Sequence, residues 1–288
     1  MKRTAMRTDL PSRRRALRAC LLLGVGVLPH LAAQADTEPA GLPLREAGTL
    51  KVAVYNGLAP FSDKGQGIDA DLAAALAAKL GLKLALLPFN AGDDLDEDLR
   101  NMVWKGHYLG YGPADVMLHV PVDRMLMNAN PQVEIFAPYH VETVRLVRSA
   151  RTVPDFRGID DLAGKRIGAE QVSLAAMVMV GEGGGRFRDQ VRMVPSAIEA
   201  LQQLKAGQLD AVLATRSEIE SVMRGDPAFP IEQVQFDRLP RGGWAIGMAV
   251  RKDKVDLARR LQAALNDMAD SGELKAVFAK YGVQVVKP

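Results

Sequence analysis

The sequence predicts an α/β protein, and three observations carry that reading. Short apolar runs rich in Val, Leu and Ala alternate with stretches of about 10–15 residues that read as helices, the pattern of βαβ units and parallel sheets. Glycines stand where several of those helices should stop. The composition is that of a soluble globular chain: of 288 residues, 48% are hydrophobic and 25% charged, with mean hydropathy −0.02. That excludes disordered, collagenous and disulfide-scaffold classes.

Thr49–Val54 is the first strand candidate, followed by a loop through Asn56–Phe61. Asp69–Leu80 is an Ala/Leu-rich helix closed by Gly81. Leu82–Phe89 supplies the next strand, and Gly92–Trp104 a helix whose acidic first turn suits the positive end of the helix dipole. Ala114–His119 and Val141–Val147 read as further strands. A second unit begins near Asp160: a turn feeds a strand ending at Ala169, and Leu174–Met179 opens a helix. Ala197–Ala206 is a helix ended by Gly207, Leu209–Leu213 a short strand, and Trp244–Val250 another. Leu257–Met268 and Gly272–Tyr281 close the chain as helices.

The formal charge of +3 is confined to one end. Residues 1–35 carry seven basic side chains and one acid, which leaves the remainder with 30 Lys and Arg against 33 Asp and Glu, a net of −3. The basicity is therefore no argument for nucleic-acid binding. Those 35 residues read as an export signal: a basic start, an apolar run over Ala19–Leu28, and the small-residue pattern Ala33-Gln34-Ala35. The run is about ten residues where a membrane span needs about 20, so a leader cleaved near Ala35 is expected, with no membrane span afterwards. Ser12–Arg18 also resembles a twin-arginine signal, which leaves the export route open. The only cysteine, Cys20, falls in the leader, so thiol catalysis, cysteine-based metal sites and disulfides are excluded from the mature chain. Asp93–Asp98 lacks the Gly and distant Glu of a calcium loop and reads as a solvated helix start; no metal site and no cofactor is expected.

Several pieces, in order, resemble the bacterial extracellular solute-binding proteins of family 3: Leu50–Val54 with Pro60-Phe61, Gly67–Leu72, Ala114–Met117, Ala137-Pro138-Tyr139, Asp161–Gly168, Ala206–Ala211, Gly243–Gly247, and Gly272–Leu274 with Lys280–Gly282. The resemblance covers nearly the whole chain after the leader. It implies a two-lobe periplasmic-binding-protein fold (type II) with a ligand trapped between lobes hinged by two crossover strands. Residues 45–144 with 246–288 would form lobe I and 145–245 lobe II.

The departures from the family pattern shape the functional expectation. Amino-acid-binding members clamp the α-carboxylate with an arginine, a role that Arg124, beside Asp123, would fill here. The amine-binding aspartate falls on Thr215, whose neutral hydroxyl cannot balance a buried ammonium. The expected ligand is therefore a small polar or anionic solute other than a standard amino acid. A branch associated with quinoprotein alcohol dehydrogenases suggests pyrroloquinoline quinone, a flat tricarboxylate for which Arg124, His119, Tyr55 and Phe61 would supply cations and stacking surfaces. Tyr55 and Phe61 follow the first strand at its carboxyl end, where α/β sheets bind ligands. Gln171 and Ser173 precede a helix whose N-terminus suits a carboxylate.

The resemblance implies an ABC permease or a periplasmic quinoprotein dehydrogenase as the expected partner. Three alternatives stay open: an amino-acid ABC-transporter receptor, a dehydratase-like enzyme using His119 or Glu170, and a periplasmic chaperone or interaction protein. The last would use Trp104, Tyr108 and Tyr111, part of an aromatic stretch, Trp104–Tyr111, that reads equally as local packing.

Overall fold

The computed structural model describes residues 41–288, so the expected leader, its cleavage point and Cys20 lie outside the described residues. Two five-stranded sheets organise the chain. The first contains β1 (Thr49–Tyr55), β2 (Lys83–Phe89), β3 (Val116–Pro121), β4 (Val133–Glu142) and β10 (Trp244–Arg251), in the order β2-β1-β3-β10-β4. The second contains β5 (Val144–Arg148), β6 (Ile167–Glu170), β7 (Val191–Val194), β8 (Ala211–Thr215) and β9 (Ile231–Glu232), in the order β7-β6-β8-β5-β9. This is the type II periplasmic-binding-protein architecture.

The helices fall where strand and helix periodicity alternate. On the first sheet these are α1 (Ile68–Lys79), α2 (Leu95–Leu99, continued by a π-helical turn to Trp104), α3 (Arg124–Ala129), α7 (Val255–Ser271) and α8 (Glu273–Lys280). The second sheet carries α4 (Leu174–Gly181), α5 (Ala197–Lys205) and α6 (Arg216–Met223). Each sheet is sandwiched. Leu50, Val52 and Val54 of β1 point to the core under α1, α7 and α8, whereas Ala53 and Tyr55 point to the smaller core over α2. The second sheet likewise divides Leu146 and Leu213 from Val147 and Val212. Alternating direction along each strand makes this division.

Two expectations are corrected. The sheets are mixed: β10 runs antiparallel to β3 and β4, and β5 antiparallel to β8 and β9. The run Val141–Val147 is two strands separated only by Thr143, because the chain changes sheets there. Local patterning cannot report either fact, since both arise where the chain crosses from one sheet to the other.

The return crossing meets the outgoing one. Trp244 pairs with Glu142 in the ladder, and its ring packs against core residues of both sheets. Gly243 has φ +75, and a Cβ there would lie 2.0 Å from the Glu142 carbonyl oxygen. Only glycine fits that approach. Replacing it, Gly243→Ala, is expected to destabilise the protein by about 2 kcal/mol or more, read as a lower denaturant midpoint; an unchanged midpoint would show that the crossing tolerates a side chain.

Candidate functional site

In the second sheet the parallel strands β6 and β8 end side by side, and each runs directly into a helix. Glu170 closes β6; after Gln171 and Val172, Ser173 caps α4. The Ser173 hydroxyl accepts from the Ala176 N–H (3.0 Å) and donates to the Glu170 carbonyl (2.7 Å). Thr215 closes β8 and caps α6 in a reciprocal capping box. Its hydroxyl donates to Glu218 Oε2 (2.7 Å), and its N–H donates to the same oxygen (2.8 Å). Val172 is fully exposed with φ +58, a strained backbone for a β-branched residue between the strand and the helix.

A cavity of about 390 Å³ opens between these two helix starts, with Glu170, Ser173, Leu174, Thr215, Glu218 and Trp244 in its wall. Two of those residues are carboxylic acids and none of its lining residues is basic. Burial pushes the Glu218 carboxyl up to about 7, and the neighbouring Glu170 and Glu142 add to the rise. Burial also raises Glu170, whose Oε2 accepts only a 3.2 Å bond from the Ala197 N–H. Two carboxyl groups in one pocket without a countercharge favour a cation arriving from outside.

The first sheet presents the carboxyl end of β3. Asp123 caps α3 by accepting from the Leu126 N–H (2.9 Å). Arg124 is exposed at the first position of that helix, and among the described residues it has no ion-pair or hydrogen-bond partner. His119 sits with φ +62 and packs edge-on against Phe61, ring centroids 4.3 Å apart. Its Nδ1 lies 3.3 Å from Oδ2 of the fully buried Asp69, without hydrogen-bond alignment. Tyr139 completes this group: its hydroxyl donates to Asp69 Oδ1 (2.8 Å) and accepts from the His119 N–H (3.0 Å).

The structure therefore divides the sequence-derived candidates. Ser173 and Thr215 share one cavity, with Gln171 exposed beside it, although both hydroxyls are engaged in helix caps. Tyr55 and Phe61 do not form an exposed stacking pair. Phe61 is buried in the larger core, while Tyr55 is buried in the smaller one against Phe89, its hydroxyl donating to Asp98 (2.9 Å). Side-chain direction, not strand position, decided this: a residue at the end of β1 still packs if its face is covered. Trp104 packs partly into the smaller core, whereas Tyr108 and Tyr111 remain exposed. Glu218 escaped sequence reasoning, although the Thr215-x-x-Glu218 spacing of a capping box marked it.

At the crossing, His140 accepts from the Val286 N–H at Nδ1 (3.1 Å), which leaves Nε2 to donate to Ser217 Oγ (3.1 Å) at the start of α6. Burial holds His140 neutral, its pKa pushed down to about 4. Glu142 is buried two residues on, accepting from Thr143 N–H (2.9 Å) and more weakly from Ser217 N–H (3.4 Å).

Comparison with known proteins agrees with this architecture. No family model matches the chain. The L-cystine-binding protein TcyJ of Escherichia coli K12 is 22% identical over 260 residues, covering 85% of this chain and 86% of that one. An ancestral cationic amino acid solute-binding protein superposes with TM-score 0.63 at 20% identity, covering 82% of this chain and 96% of that structure. An amino acid ABC transporter substrate-binding protein from Streptococcus pneumoniae, solved with L-arginine, gives TM-score 0.57 at 22% identity, covering 83% and 96%. The chain therefore shares the fold of these solute-binding proteins and resembles them over most of its length. None of these comparisons supports the quinoprotein-associated branch.

Asp69, Tyr139 and His119 form one linked polar group beside the larger core of the first sheet. Tyr139→Phe leaves one oxygen of Asp69 and the His119 N–H unpaired in the core, at about 1–3 kcal/mol for each group. Thermal unfolding should therefore fall by several degrees, at roughly 2–4 °C per kcal/mol for this size; an unchanged midpoint would mean the hydroxyl is dispensable.

Proposed function

We propose that the chain is an exported, non-enzymatic receptor that binds an α-amino acid between its two sheets and delivers it to an ABC permease. The observation that carries this reading is the cavity at the helix starts of the second sheet, walled by Glu170 and Glu218. Thr215 itself is neutral, but Glu218 Oε2 lies 2.7 Å from its hydroxyl, which places an ionisable carboxyl group one helical turn further along the chain. An ammonium group entering this cavity gains two carboxylates and relieves their mutual repulsion. Arg124, exposed at the start of α3 and without a partner among the described residues, is the matching cation for an α-carboxylate.

The relatives support the same class: one is named for L-cystine, one for cationic amino acids, and one was solved with L-arginine. A tricarboxylate such as pyrroloquinoline quinone would meet Glu170 and Glu218 instead of cations, and the expected stacking pair of Tyr55 and Phe61 is buried. An export leader over residues 1–35 fits delivery to the periplasm, where such receptors meet their permeases.

Thermal unfolding against a panel of amino acids, polyamines, carboxylates and pyrroloquinoline quinone tests the reading. An amino acid at 100 times its dissociation constant adds about 2.7 kcal/mol, or roughly 5–10 °C here. A rise with the quinone alone would overturn the proposal. Glu218→Gln keeps the capping box but removes the charge, so amino-acid affinity is expected to fall about tenfold or more by calorimetry; unchanged affinity would exclude Glu218 as the ammonium site.

Glu218 also predicts a pH slope in the empty protein. Its folded pKa of about 7 exceeds the ordinary carboxyl value, so the folded state holds the proton more tightly than the unfolded chain. Stability should decline as pH rises from about 4.5 to 7, and Glu218→Gln should remove that part of the decline. An identical slope in the variant would show that Glu218 titrates normally.

A further inference from the structure

The two stretches of sequence that the proposed function does not use, the acidic run Asp93–Asp98 and the aromatic run Trp104–Tyr111, fold onto each other. His107, Tyr108 and Tyr111 line one side of a solvent-open cavity of about 770 Å³, and Asp93, Glu97 and Asp98 line the other. It shares no residue with the Glu170–Glu218 cavity.

The aromatic segment is a built platform. The His107 N–H donates to the Tyr111 carbonyl (3.0 Å), and the Gly110 N–H to the His107 carbonyl (2.9 Å). The Leu109 N–H donates to His107 Nδ1 (3.1 Å), and the His107 and Tyr111 rings stack at 4.1 Å with planes 14° apart. Gly112 locks the base of the segment, since at φ +67 a Cβ would lie 2.6 Å from the Asn101 carbonyl oxygen. Yet the segment holds large apolar surface in water: Tyr108 is 88% exposed, Leu109 70% and Tyr111 42%. An ordered, exposed aromatic patch is unusual on a chain that needs it only for its own core, and Tyr is a residue type enriched at interfaces.

Charge selects the occupant. Asp93, Asp94, Asp96, Glu97 and Asp98 crowd the start of α2; Arg100 is engaged with Glu97 (3.0 Å), and the Asp93 carboxylate has no partner among the described residues. Acidic groups beside tyrosine faces suit a guanidinium or ammonium group, which gains both ion pairing and cation–π contact. We infer that this face docks a basic segment of a partner protein, with a Lys or Arg side chain entering between the 105–111 segment and α2.

The test uses the full chain and labelled ten-residue peptides, one Arg-rich and one Glu-rich of matched length, too large to enter the ligand cavity whole. The Arg-rich peptide is expected to bind, more weakly as salt rises, and to perturb the backbone amides of residues 92–98 and 105–111. Tyr108→Ser with Tyr111→Ser should weaken binding about tenfold or more, and Asp93→Asn, which leaves the platform intact, should weaken it and flatten its salt dependence. Equal binding of the Glu-rich peptide, perturbation confined to residues 170–218, or unchanged affinity in the variants would overturn the inference. So would binding to anionic phospholipid vesicles in preference to the basic peptide, which would mark a lipid surface. Neither amino-acid binding by the other cavity nor its failure enters these readouts.

Discussion

Both crossings between the two sheets pass Glu142, and the rest of the structure depends on that node. Its carbonyl lies where a side chain at Gly243 would have to go, and its backbone pairs with Trp244 in the ladder. Its buried carboxyl, raised by burial, accepts from Thr143 and from Ser217 at the first turn of α6. His140, two residues earlier, reaches the same serine. A single residue, Thr143, separates strands that belong to different sheets, so any opening or closing of the lobes is a rotation concentrated over very few backbone torsions. The node also ties that rotation to α6, the helix that contributes Thr215 and Glu218 to the cavity wall.

The C-terminal segment adds a second tie between the same elements. Gln284 donates its N–H to Glu220 Oε2 (2.8 Å) and accepts from Arg216, both on α6, while Val286 donates to His140 on β4. The helix that offers the carboxylate is thus held at its start by the hinge and along its side by the tail. Such restraint keeps the two acids near one another despite their repulsion, and a ligand cation is the natural relief.

The sequence made the alternation of strands and helices readable because apolar periodicity and glycine stops are local signals: Gly81 and Gly207 both follow their helices with positive φ. It could not reveal that β4 and β5 are distinct, because Val141–Val147 is uniformly strand-like and the change of sheet is a tertiary event. β7, β9, α3, α6 and residues 133–140 of β4 lie outside the expected elements as well; β7, β9 and α3 are short. For the candidate site, Ser173 is legible from its place before a helix and Thr215 from the family resemblance, and both line one cavity. For Tyr55 and Phe61, position at a strand end does not say whether the ring turns toward the cleft or the core, and both rings are buried. Strand-end position does not mark Glu218, which lies three residues into the helix that Thr215 caps.

An α-amino acid that seats its ammonium at the Glu170–Glu218 pair, as proposed, would displace the proton that burial holds on Glu218. Calorimetric titration of the α-amino acid that most raises the unfolding temperature, near pH 6.5 in buffers of different ionisation enthalpy, measures this directly. A net release of protons on binding is expected, seen as an apparent enthalpy that changes with the buffer and stops changing in Glu218→Gln. An enthalpy independent of buffer in the unaltered protein, or proton uptake, would contradict it.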